Sequence, residues 1–195
     1  MSERLRLAVF ISGRGSNMEA LIEACAAPDF PAEISVVLSN KPDAQGLNTA
    51  RDHGLATLCV DHTLYDTKAA FEAAMVSALA PHAFDLICLA GFMRLLSGDF
   101  IDQFPERIIN IHPSLLPAYK GLDTHARALA GGATQAGCSV HYVVPEMDSG
   151  EIIVQRSIDI APNDTPETLG ARVLAEEHIA YPEAVRIMAD KLRAS

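Results

Sequence analysis

Along the first two thirds of the chain, short apolar runs of strand length alternate with longer amphipathic segments. The apolar runs predict strands near Leu5–Ile11, Ile34–Ser39, Ala56–Val60, Asp85–Leu89 and Arg107–Ile111. The amphipathic segments predict helices near Ser16–Ala26, Ala44–His53 and Tyr65–Ala80, with shorter helical turns around Met93–Phe104. Strands that alternate with helices imply a mostly parallel sheet with crossover helices on its faces.

The last third reads differently. Cys138–Val144 and Glu151–Ile160 have the pattern of two antiparallel strands joined across "PEMDSG". A long helix is expected to begin near "NDTPE", with Thr165 as N-cap and Pro166 at the first helical position. It should run to about Leu192, bent or interrupted at Pro182, whose ring removes a backbone donor. The expected architecture is a doubly wound α/β fold with an added hairpin and a closing helix, in a single domain over residues 1–195.

Composition narrows the function. With 195 residues the chain can bury one sizeable core, and a second domain would be cramped. Although 49% of residues are apolar, no run approaches the roughly 20 residues of a membrane helix. The stretch "MSERLRLAVFIS" is too short in its apolar part for a signal-peptide core, so a cytoplasmic protein is expected. A formal net charge of −10 argues against attraction to nucleic acid or an anionic membrane. Cys25, Cys59, Cys88 and Cys138 form no CxxC pair and are expected to be reduced, buried thiols.

Two stretches carry candidate chemistry. In "LAVFISGRGSN" glycines lie between the first strand and the first helix, and Ser16 with Glu19 fits a capping box. Free N–H groups there could cradle a phosphate. Met18 stands where a dinucleotide fingerprint needs its third glycine, and the P-loop lysine is missing. A plain strand–helix turn has the same pattern.

In "IINIHP", side chains two apart share a face, so Asn110 and His112 project together while Ile109 and Ile111 enter the core. They stand at the carboxyl end of a sheet strand, where open α/β sheets bind ligands. Pro113 and Pro117 stiffen the loop that follows, and the Leu116–Pro117 bond is a candidate for cis. Asn110 offers an amide to a carbonyl oxygen gaining charge, and His112 can move a proton or give a second hydrogen bond. Asp148, in "HYVVPEMDSGEII", is the candidate carboxylate partner. Amide, imidazole and carboxylate suit acyl transfer to an amine. A strand-end pair bonded to its loop, and a turn aspartate beside Gly150, remain the bland alternatives. A Ser114 nucleophile lacks a GxSxG elbow, and a metal set of His112, His125, His141 and Asp148 lacks any established spacing.

Four stretches, "ISGRGSN", "LAGFMRLLS", "NIHPSLLPAYKG" and "HYVVPEMDSGEII", resemble the phosphoribosylglycinamide formyltransferase family, in its order and over nearly the whole chain. The resemblance implies a Rossmann-like fold and formyl transfer from 10-formyltetrahydrofolate to the amine of glycinamide ribonucleotide in purine biosynthesis, without a metal. It implies Asn110, His112 and Asp148 as the catalytic set. Gly15, Ser16 and Asn17 would hold the phosphate, and Glu177 the ribose or glycinamide part. The folate would lie along Met93, Arg94, Leu95 and Leu96, against Val144, Pro145, Glu146, Met147 and Asp148, and beside Asn110. Lys68 stands where the family commonly has an arginine, keeping the charge without the planar fork. Monomer and homodimer both stay open. The nearest alternative is a formyltetrahydrofolate hydrolase, whose acceptor is water and which would have no use for a phosphate cradle.

Overall fold

The computed structural model describes residues 4–194; Met1–Glu3, which open the stretch read for a signal peptide, and Ser195 lie outside the described residues. Seven strands form one sheet: β1 (Leu5–Ile11), β2 (Ala32–Ser39), β3 (Ala56–Cys59), β4 (Leu86–Leu89), β5 (Ile108–His112), β6 (Gln135–Tyr142) and β7 (Ile152–Asp159), in the order β3-β2-β1-β4-β5-β6-β7. Around them are α1 (Ser16–Ala26), α2 (Gln45–Asp52), α3 (Lys68–Leu79), α4 (Gly98–Ile101), α5 (Thr124–Ala130) and α6 (Pro166–Ala194). The sheet is mostly parallel with one antiparallel hairpin, as the alternating pattern implied. The chain divides after Ile109 into two compact units.

The first unit is built on β1, which pairs in parallel with β2 on one side and β4 on the other. Its Leu7–Ile11 run is wholly buried, the expectation for a strand covered on both faces. Each such large side chain contributes about 1.5–3 kcal/mol on burial. Helix α1 starts at Ser16 without the expected capping box. Gly15 is the N-cap at φ 81°, no side chain caps the helix, and Ser16 is already helical. Close packing beside that loop depends on Gly46, where a Cβ would lie 2.6 Å from Ile11 Cδ1 and 3.2 Å from the Gly13 carbonyl oxygen. Helix α3 begins three residues later than the amphipathic pattern suggests, because Thr67 accepts from the Ala70 N–H and caps it there.

The second unit is the β6–β7 hairpin with α5 and α6. Hydrogen-bonded pairing runs from Gln135 opposite Asp159 to His141 opposite Ile152, with a register shift between Val140 and His141. Helix α6 presents Leu169, Val173, Ala180, Tyr181, Ala184, Val185 and Met188 as one buried stripe at helical spacing. That stripe carries the helix through Pro182 without the interruption expected there. The proline takes one N–H from the ladder, and burial on both sides of it holds the backbone helical. Helix α5, which the sequence pattern did not suggest, is only seven residues long. All four cysteines are free, but Cys59, at the end of edge strand β3, is exposed and Cys25, on α1, is half-buried.

Candidate active site

Strand β5 runs one residue further than expected, so Asn110 and His112 both lie on it. Ile109 and Ile111 are buried as the alternation required, Asn110 is half-buried, and His112 is 6% exposed. Asp148 reaches the same place from the β6–β7 connection, in a left-handed backbone conformation at φ 48°. Its Oδ2 lies 3.4 Å from His112 Nδ1. That is longer than the about 2.7–2.9 Å of a charge-assisted hydrogen bond, so the two groups are adjacent but the bond is not closed.

Backbone groups hold both partners. Nε2 of His112 is 3.0 Å from the Tyr119 carbonyl oxygen, and the Gly121 N–H donates to Asp148 Oδ2 at 2.8 Å. The hairpin return that places Asp148 requires Gly150, because a Cβ there would lie 1.8 Å from the Tyr142 carbonyl oxygen. The Leu116–Pro117 bond is cis.

A fourth side chain joins the set. Asn110 Nδ2 lies 3.2 Å from Nε2 of His141, a buried residue at the register shift of β6. His141 Nδ1 is 2.8 Å from the Tyr142 carbonyl oxygen, so it carries the proton and leaves Nε2 to accept from the amide. Burial pushes the His141 ring below its ordinary pKa, against the opposing pull of the Tyr142 carbonyl and Asp148. A neutral ring at this position fixes the Asn110 amide and leaves its second N–H for a ligand. Sequence reasoning reached His141 only as a metal candidate. The signal for this role was its place at the head of "HYVVPEMDSG".

Neither rival chemistry gains support. Ser114 Oγ donates to the Ala118 carbonyl at 2.7 Å and serves the loop. His125 packs toward α6, where a Cβ on Gly170 would meet its Cδ2 at 3.1 Å. Among the described residues no group of three or more His, Cys, Asp or Glu side chains is arranged to hold a metal ion.

The family described as formyl transferase matches residues 5–185. The chain belongs to this family. Phosphoribosylglycinamide formyltransferase of Escherichia coli (strain K12) is 40% identical over 186 residues, spanning 95% of this chain and 88% of that protein. The crystal structure of phosphoribosylglycinamide formyltransferase from Brucella melitensis superposes with a TM-score of 0.92 at 51% identity, covering 96% of both chains. The trifunctional purine biosynthetic protein adenosine-3 of Bos taurus is 43% identical over 187 residues, and the chain spans 18% of its length.

The other residues that the family resemblance singled out are placed as follows. In the first unit, Gly15, Ser16 and Asn17 form the entrance to α1, with Asn17 buried. Lys68 is the exposed first residue of α3. Met93, Arg94 and Leu95 are exposed and Leu96 is buried, in a loop that sequence periodicity had given helical turns and that is helical only from Gly98. That loop is anchored at both ends. Met93 N–H donates to Ser12 Oγ at 2.8 Å, and the buried carboxylate of Glu72 accepts from Ser97 N–H at 2.7 Å and from the Ser97 hydroxyl. In the second unit, Val144 is half-buried, Pro145, Glu146 and Met147 are exposed, and Glu177 is buried on α6. Burial, with the nearby Glu177 charge next in weight, pushes the Cys138 thiol up to about 12, so that thiol is inert packing.

Proposed function

We propose that this chain transfers the formyl group of 10-formyltetrahydrofolate to the amine of glycinamide ribonucleotide, giving formylglycinamide ribonucleotide and tetrahydrofolate in purine biosynthesis. The observation that carries the reading is the gathering of Asn110, His112 and Asp148 at the end of β5, with 3.4 Å between imidazole and carboxylate, in a chain of the formyl transferase family.

In the proposed reaction the amine nitrogen attacks the formyl carbon, and the carbonyl oxygen becomes an oxyanion. The free N–H of Asn110 donates to that oxygen, where fixed donors stabilise developing charge most. A C–N bond forms to the amine, and the bond from the formyl carbon to N10 of the folate breaks. One proton leaves the amine and one arrives on N10. His112 and Asp148 carry that transfer, the carboxylate holding the ring and its charge. Gly15, Ser16 and Asn17 hold the ribonucleotide's phosphate through backbone N–H groups at the start of α1, and Glu177 contacts its ribose or glycinamide part. Lys68, Met93–Leu96 and Val144–Asp148 take the folate. The chain works as a single formyltransferase domain in the cytoplasm.

A formyltetrahydrofolate hydrolase would use the same three groups with water as acceptor. Against it stand the relatives named phosphoribosylglycinamide formyltransferase. The test follows deformylated folate from 10-formyltetrahydrofolate with and without glycinamide ribonucleotide. Release that requires the ribonucleotide supports the transferase. Equal release without it establishes the hydrolase, and no release in either tube overturns both.

A further inference from the structure

The segment Tyr119–Asp123 has an unusual backbone. Tyr119 and Asp123 both adopt φ 55° and Gly121 adopts φ 80°. A left-handed conformation costs a non-glycine residue about 1–2 kcal/mol, so this segment needs outside support. Its inward groups are the two that hold the reacting pair, the Tyr119 carbonyl for His112 and the Gly121 N–H for Asp148.

Lys120 Nζ donates to Ser149 Oγ at 2.6 Å, and further support comes from a side chain on α5. Arg127 Nη1 donates to the Lys120 carbonyl at 2.6 Å and to the Leu122 carbonyl at 3.2 Å. Its guanidinium also lies 5.7 Å from the centre of the Tyr119 ring. Arg127 therefore grips Tyr119, Lys120 and Leu122, the residues that carry or flank the two inward groups. The Tyr119 hydroxyl lies farther along α5 at Gly131, where a Cβ would come within 3.1 Å of it.

We propose that Arg127 is a positioning residue that sets the distance between His112 and Asp148 by fixing the backbone of the loop both of them bind. It touches neither of them and acts through Tyr119 and Gly121. Both carbonyls take their bonds from the one nitrogen Nη1 while the guanidinium lies beside the Tyr119 ring; a lysine would keep the charge as a point without the delocalised plane that faces the ring. The inference rests on the catalytic roles proposed for His112 and Asp148.

The test uses the full chain as wild type, Arg127→Met and Arg127→Lys, assayed with both substrates, together with NMR of the histidine ring nitrogens in the free protein. Arg127→Met should lower kcat about tenfold or more while each KM stays within about twofold, because misplacement of the pair affects the transition state and not ground-state binding. Arg127→Lys should recover only part of that loss. The His112 Nε2 signal should move in Arg127→Met, and the His62 signals should not. An unchanged kcat, or a reduced kcat with an unmoved His112 signal, would overturn the proposal. If Arg127→Met does not fold, Gly131→Ala decides. Gly131 sits at φ −79°, a conformation alanine adopts without strain, and its methyl presses on the Tyr119 hydroxyl and the Arg127 carbonyl. It should lower kcat in the same way, and adding Tyr119→Phe should restore it; no loss, or no restoration, overturns the proposal. A wild type that transfers no formyl group would sink the functional reading instead, while the NMR comparison still judges the role of Arg127.

Discussion

Asn110 and His141 form a directed pair: the amide nitrogen lies 3.2 Å from Nε2, and the opposite ring nitrogen is committed to the Tyr142 carbonyl at 2.8 Å. The direction holds only while the ring is neutral. A proton on Nε2 would remove the acceptor and turn that edge toward Asp148 Oδ1, 3.8 Å away.

Acid should therefore weaken the fold through this ring. The folded pKa of His141 lies below the ordinary 6.5, chiefly through burial, so the unfolded chain binds the proton more readily. Stability from the neutral ring is present above about 6.5 and falls as pH drops from there toward the depressed folded value. His125, also lowered chiefly by burial, acts in the same sense. Urea midpoints for wild type and His141→Gln between pH 7 and pH 5 measure the effect. The wild type should lose more stability than the variant across that window, and parallel curves would remove His141 from the account.

Turnover should depend on the pair at β5 far more than affinity does. His112→Ala and Asp148→Asn should each lower kcat by about 10²-fold or more, the usual range for a lost proton-transfer group. Dissociation constants for both substrates, from calorimetry on the same variants, should stay within about threefold. Near-normal turnover in either variant would show the roles to be wrongly assigned.

Gly150 is a structural dependence of Asp148. Placing a methyl 1.8 Å from the Tyr142 carbonyl oxygen forces backbone to move, not a flexible side chain. Gly150→Ala should lower stability by about 2–4 kcal/mol, a value in the destabilising tail for single substitutions. Thermal and chemical unfolding against wild type check this, and a change under about 0.5 kcal/mol would mean that the hairpin return relaxes freely.

Lys68 permits a gain. It is exposed at the start of α3, and an arginine there would offer two donors to a carboxylate where lysine offers a point charge. Lys68→Arg should lower the KM for 10-formyltetrahydrofolate about two- to tenfold, the worth of one added charged hydrogen bond, and leave the ribonucleotide KM alone. Equal shifts in both constants, or none, would place Lys68 away from the folate.

The sequence by itself determined what depends on local periodicity and local chemistry. β1 and α1 have the bounds read from the apolar pattern, and the cap at Thr165–Pro166 starts α6 where the residues require it. Two-residue alternation was enough to put Asn110 and His112 on one face of β5, and the hairpin around "PEMDSG" followed from its turn residues. Tertiary structure decided whatever depends on partners distant in sequence. Pro182 stays helical because the residues around it are buried against the sheet, which no helix propensity contains. Ser16 is not the cap because Gly15 takes the left-handed position, and α5 is too short to leave a periodic trace. His141 and Arg127 owe their places to a register shift in β6 and to carbonyls in a left-handed loop. Hydrogen bonds between groups many residues apart have no period in the sequence, so their directions exist only once the chain has folded.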